Sequence, residues 1–236
     1  MTRDGRNVVV ARTGTTLWSV HVDALHVASL VGTFVFGVSG VLAAADRRLD
    51  VFGFALVGMA TALGGGTIRS MIVDQRPPWM EDWVFLTVAL VGSWVTLIAL
   101  RLLRPHRDRF VAGVGYADAA GLALFCITGT AVGVDLGYRG VVAVVLGVIT
   151  AVGGGVIRDL LVGRVPFIMQ SQIYATAAIL GATIYVVLVN LDVDGVVAGV
   201  IGGVMAFVLR VVAMRRSWSL PAFGALDPPG GAKSST

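Results

Sequence analysis

The chain has 236 residues, 56% hydrophobic and 14% charged, with a mean hydropathy of +0.87 and a formal net charge of +4. A soluble domain carries about 25% charged residues, so the composition excludes an ordinary water-soluble fold and points to the membrane. The single cysteine, Cys126, excludes an intrachain disulfide, and three scattered histidines offer no visible metal cluster.

A membrane-spanning helix needs about 20 apolar residues. Residues 1–26 are mixed polar and apolar, with no basic start leading into a continuous apolar core. They predict an extracytoplasmic segment and no cleaved signal peptide. Within it, His21, Asp23 and His26 resemble a metal cluster only superficially and read as interfacial. Seven apolar spans follow: Val27–Ala45, Val51–Val73, Trp83–Leu103, Tyr116–Val134, Gly140–Val162, Ile173–Leu191 and Val196–Ala213. Trp18, Trp79, Trp83 and Trp218 fall near span ends, where interfacial tryptophans concentrate. Residues 217–236, with Pro221, Pro228, Pro229, Gly230 and Gly231, read as a short disordered tail.

Lys and Arg placement predicts orientation. The side of the N-terminus would hold Arg3, Arg6, Arg12, Arg69, Arg76 and Arg139. The opposite side would hold the other twelve basic residues, with the group Arg101, Arg104, Arg107 and Arg109 the strongest indicator. The N-terminus is therefore expected outside and the C-terminus in the cytoplasm.

The chain overlays itself at an offset of 89 residues without a gap. Gly32, Phe36, Gly40 and Asp46 meet Gly121, Phe125, Gly129 and Asp135. Gly58, Thr61 and Ala62 meet Gly147, Thr150 and Ala151. The triplet Gly64-Gly65-Gly66 meets Gly153-Gly154-Gly155, Arg69 meets Arg158, and Pro77 meets Pro166. A triplet, an arginine and a proline in one register indicate duplication. Three spans per unit is odd, so the second unit enters the membrane from the opposite side. The expected fold is all-α integral membrane: seven transmembrane helices in two inverted three-helix repeats, 27–103 and 104–191, plus a seventh helix at 192–216 and a cytoplasmic tail at 217–236.

Spans two and five each carry a triplet past the middle of the bilayer. Three glycines permit a kink or a short break, which would free carbonyls for cations and amides for anions. They also permit close helix packing, the simpler role of Gly37, Gly40, Gly199, Gly202 and Gly203. An intramembrane arginine cannot lose its proton, so Arg69 and Arg158 need water, a carboxylate or carbonyls, or must snorkel outward. Arg210, in the last turn of the last span, reads as a snorkelling positive-inside residue. Asp192 and Asp194 read as a solvated turn; Gln172 and Thr176, one turn apart, could line an entrance but need not. Tyr116, Tyr174 and Tyr185 could present hydroxyls to a pore or simply pack.

On these residues the chain resembles the prokaryotic branch of the trimeric intracellular cation (TRIC) channel family. The doubled Gly-Gly-Gly-x-x-Arg carries the likeness, with "DAAGLALF" (Asp118–Phe125), "QIYATAAILGA" (Gln172–Ala182) and "LPAF" after the last span. The resemblance implies a homotrimer in a bacterial or archaeal cell membrane, with one pore per protomer. It implies that spans two and five line this pore and that K⁺ or Na⁺ passes, with no cofactor and no nucleic-acid partner. The pore residues would be Gly64, Gly65, Gly66, Gly153, Gly154 and Gly155, with the charges Arg69, Arg158, Asp118 and Asp159.

This chain departs from the family pattern twice in repeat one. Ser70 stands where the motif has the aspartate kept as Asp159, and Ser29 stands where repeat two has Asp118. Asp118 and Asp159 are thus expected to balance Arg158, leaving Arg69 in a more positive environment. Two arginines beside a path would by themselves favour anions, so the cation preference rests on the resemblance. The alternative is a secondary transporter of a small solute such as glycine, whose carboxylate an arginine would hold. A non-conducting scaffold leaves the duplicated glycines and arginines without purpose. No nucleophile–base pair stands out, so no enzyme is expected.

Overall fold

A computed structural model describes residues 12–102, 113–170 and 173–218, with the backbone alone for 12–23 and 170. Arg104, Arg107, Arg109, Gln172, the "LPAF" stretch and the side chains of His21 and Asp23 lie outside the described residues. The described chain is all α-helix: α1 (Arg12–Ala44), α2 (Val51–Ile72), α3 (Pro78–Glu81), α4 (Val84–Leu102), α5 (Val114–Asp135), α6 (Gly140–Leu161), α7 (Phe167–Gln170), α8 (Ala175–Asn190) and α9 (Gly195–Arg215).

Six of these helices are long and apolar enough to cross a membrane, whereas α8 has 16 residues. The sequence suggested a span over Ile173–Leu191, but Tyr174 caps α8 and starts it later. α1 begins at Arg12, so helix also extends into the segment ahead of the first apolar span. Side chains such as Phe52, Leu102 and Val141 stand about three-quarters exposed on the outer surface. Such apolar exposure suits lipid rather than water.

The duplication reappears in the elements. Adding 89 to the bounds of α2 gives those of α6, and adding 89 to those of α3 gives those of α7. Both long helices stop the same way. Gln75 N–H donates to the Ser70 carbonyl at 2.9 Å and Arg164 N–H to the Asp159 carbonyl at 2.8 Å, with Asp74 and Gly163 at positive φ. This six-to-one closure with a left-handed residue is a common helix stop. Side-chain caps start others: Asp50 accepts from Gly53 N–H, and Asp194 from Val196 and Val197 N–H. Asp192 and Asp194 are both exposed, Asp192 at positive φ.

α2 and α6 cross at the centre, each against the other's glycine triplet. A Cβ on Gly65 would fall on the Thr150 carbonyl oxygen, and one on Gly154 would fall on the Thr61 carbonyl oxygen. Residue 61 thus lies by 154 and 65 by 150, so the two helices run antiparallel. α1 and α5 behave alike: Gly32 faces the Phe125 ring and Gly121 the Phe36 ring, and those rings meet edge-on at 5.1 Å. Each of these glycine contacts therefore has its counterpart 89 residues away.

The sequence allowed a kink or a short break at the triplets. Neither helix is interrupted: α2 runs unbroken through Gly64–Gly66 and α6 through Gly153–Gly155. Here the missing side chains let two backbones touch, which is the packing use of small residues.

Candidate functional site: two arginines beside the helix crossing

Arg158 lies near the end of α6, one helical turn beyond the triplet, and is fully buried. Its neighbour in the chain, Asp159, accepts its Nε at 2.8 Å. Asp118 on α5 and the Ser39 hydroxyl on α1 accept from its Nη1, the latter at 2.7 Å. Tyr174, at the start of α8, donates its hydroxyl to Asp118 Oδ1 at 3.2 Å. The second oxygen of Asp159 caps α7 through Phe167 N–H at 2.9 Å, and the Phe167 ring lies 4.9 Å under the guanidinium. This buried cluster holds one cation between two carboxylates, and a second cation, Arg210, lies close enough to interact with Asp118. Asp118 Oδ2 is buried and makes no hydrogen bond among the described residues.

Repeat one has the same scaffold without the same chemistry. Arg69 is 8% exposed, yet its Nε makes no hydrogen bond among the described residues, and its side chain has no ion pair there. It borders a cavity of about 30 Å³ with Ser29, Thr33, Gly66, Trp79, Phe85 and Phe125 among the walls, none of them acidic. Ser29 occupies the place of Asp118, and Phe85 that of Tyr174. Ser70 occupies the place of Asp159 and is buried. Thr128, the counterpart of Ser39, has a buried hydroxyl with no partner among the described residues.

The structure brings Asp118, Arg158, Asp159 and Gly155 into one cluster and Ser29, Gly66 and Arg69 around one cavity. A Cβ on Gly155 would stand 2.7 Å from the Tyr174 hydroxyl and 3.3 Å from Asp118 Oδ1. Sequence reasoning missed Ser39. Its signal was available: Thr128 is its equivalent at the 89-residue offset.

Arg210 does not snorkel. It is 3% exposed, its guanidinium lies 4.8 Å over the Tyr174 ring, and its Nη1 reaches the Ile173 carbonyl at 3.5 Å. Arg210 lies more than one turn before the end of α9, on the side packed against the start of α8, which carries the side chain inside. Tyr185 is also buried, whereas Tyr116 is exposed and its hydroxyl accepts from Arg215 Nε at 3.3 Å. Thr176 is exposed. His26 pairs with Asp82 at 3.5 Å and packs on Phe85. No group of three or more potential metal ligands occurs among the described residues.

Comparison with known proteins agrees with this duplicated architecture. A family profile described as "Glycine transporter" matches twice, over residues 26–101 and 115–190, an offset of 89. The TRIC channel orthologue from Rhodobacter sphaeroides is 33% identical, with a TM-score of 0.76 over 82% of this chain and 98% of that one. This chain belongs to the prokaryotic TRIC family. A second prokaryotic TRIC channel structure is similar at 27% identity and a TM-score of 0.74, over 83% of this chain and 98% of that one. Among curated relatives, the inner membrane protein YadS of Escherichia coli is 40% identical over 85% of this chain and 96% of its own length. The membrane protein YvgT of Bacillus subtilis is 34% identical over 84% and 96%. The TRIC family is a transport family without catalytic activity, and this member is a multi-pass membrane protein rather than an enzyme.

Proposed function

We propose that this chain is a homotrimeric channel for K⁺ or Na⁺, with one pore per protomer lined by α2 and α6 at their glycine triplets. In this reading α8 is the sixth of seven spans. Its 16 residues make about 24 Å of helix at 1.5 Å each, which Tyr174 and the flanking turns extend. The two units are inverted repeats. The antiparallel crossings of α2 with α6 and of α1 with α5 support that arrangement. The N-terminus lies outside and the C-terminus in the cytoplasm of a bacterial or archaeal cell.

The observation that carries cation conduction is the likeness to the Rhodobacter sphaeroides structure, whose own description is a cation channel. The local chemistry supports it on one side. Asp118 and Asp159 place two carboxylates in this cluster, and Asp118 Oδ2 is an acceptor without a hydrogen-bonded donor among the described residues. Arg69 does the opposite and places an uncompensated positive charge beside the same crossing.

The description of the matching family profile favours a second reading, secondary transport of a small solute such as glycine. A planar bilayer with asymmetric KCl separates the two. Discrete steps reversing near the K⁺ potential support the channel. Steps near the Cl⁻ potential overturn its cation preference. A silent bilayer with saturable uptake of labelled glycine into liposomes supports the transporter.

A further inference from the structure

We propose that the cavity at Arg69 is a binding site for a small monovalent anion of halide size, with the Arg69 guanidinium and the Ser29 hydroxyl as its donors. Equivalent positions of the two repeats are electrostatically unequal. Arg158 is held by two carboxylates, the Ser39 hydroxyl and an aromatic face. Arg69 occupies the same place in its own repeat and is about as deeply buried, but both carboxylates are replaced by serines. A buried, unpaired guanidinium is costly, and arginine does not escape the cost by deprotonating. The charge therefore calls for a mobile counter-ion.

The surroundings specify what kind. The cavity holds about 30 Å³, and a water-sized body needs roughly 10–15 Å³. There is room for a monatomic anion with a water, and little for an extended solute. Thr33 donates its hydroxyl to the Ser29 carbonyl, and Trp79 donates its indole N–H to Thr67 at 3.0 Å, so those hydrogens are already committed. The Ser29 hydroxyl and Arg69 Nε have no partner among the described residues. Pro78, Phe85 and Phe125 complete apolar walls that keep the local dielectric low and strengthen attraction between opposite charges. No acidic side chain lines the cavity to repel an anion. The inference concerns binding beside the crossing and holds whichever ion or solute the protein conducts.

The test uses the full-length protein in detergent. Melting temperature is followed while potassium gluconate, too large for the cavity, is exchanged for KCl or KBr at constant ionic strength. The wild type should show a saturable rise. Ser29→Asp installs a fixed carboxylate at the position equivalent to Asp118, and its apparent anion affinity should fall by about tenfold or more, equivalent to about 1.4 kcal/mol. Arg69→Gln should abolish the response. A flat wild-type titration overturns the proposal, as does an equal response in folded Ser29→Asp. Bromide anomalous scattering from wild-type crystals gives a second reading that needs no variant. A peak beside Arg69 supports the site, whereas bromide found only elsewhere, or a melting response to glycine alone, overturns it.

Discussion

Arg158 and Arg69 descend from the same position of a duplicated unit, end the same kind of helix, and sit behind the same glycine triplet. They have become different objects. Arg158 is a strut: it ties α1, α5 and α6 together through Ser39, Asp118 and Asp159, and Asp159 in turn holds α7. Arg69 is a charge without a tie, facing a small cavity. The lesson is that a motif fixes where a side chain goes, while neighbours on other helices decide what it does. Two substitutions, at Ser29 and Ser70, separate a structural ion network from an electrostatically open site.

Several measurements would break or sharpen this contrast. The largest effect is expected from Asp118→Ala, which takes one of two carboxylates from the buried Arg158 and the acceptor from the Tyr174 hydroxyl. Removing one partner of a buried pair costs about 3–5 kcal/mol, so thermal unfolding in detergent should show a large loss. An unchanged melting temperature would remove the strut from the account. Next comes Gly154→Leu, which forces a side chain onto the Thr61 carbonyl and must push α2 from α6. Overpacking costs about 1–3 kcal/mol and occasionally more, and single-channel conductance should be lost. Normal conductance in that variant would take the triplet out of the mechanism.

Ser70→Asp tests the other arginine. The new carboxylate would stand where Asp159 stands and could accept from Arg69 Nε. A hydrogen bond to a charged group contributes about 1.5–3 kcal/mol, offset by the desolvation of the carboxylate. The expected result is a small rise in melting temperature and a reversal potential shifted toward K⁺. No change in conductance or selectivity would mean that Arg69 does not influence the permeant ion.

The smallest effect should also be the most discriminating. Gly66→Ala meets open space and should gain up to about 1 kcal/mol from helix propensity. Gly155→Ala, its equivalent, approaches the Tyr174 hydroxyl and Asp118, and should destabilise. Opposite signs for one substitution at matched positions, read by paired melting curves, would show that the repeats differ in chemistry rather than backbone.

Much of the architecture was legible because duplication writes itself twice. The offset of 89 residues that aligns the triplets also relates the bounds of α2 to α6 and of α3 to α7. Apolar span lengths gave the helices, and the replacement of two aspartates by Ser29 and Ser70 marked repeat one as different. Other features were not legible. The triplets allowed a kink or a short break, and the absence of a break was not legible, because glycine's effect on one helix is visible in sequence and its effect on a neighbour is not. Arg210 looked like an outward anchor because its position in the last turn of a span says nothing about which way that turn faces. Ser39 looked like one more small residue in an apolar helix.

The sequence by itself determined the membrane class, the repeat and the places where glycine and arginine fall, since these depend on composition and spacing along one chain. Only the tertiary structure decided which carboxylate meets which arginine, that α2 and α6 cross backbone to backbone, and that Arg210 turns inward onto Tyr174. Those outcomes depend on distances between residues far apart in the chain: Ser39 and Arg158 are separated by 119 positions, yet they meet at 2.7 Å. Local patterns fix helices, whereas the electrostatics of a buried charge is set by whatever the packed helices bring beside it.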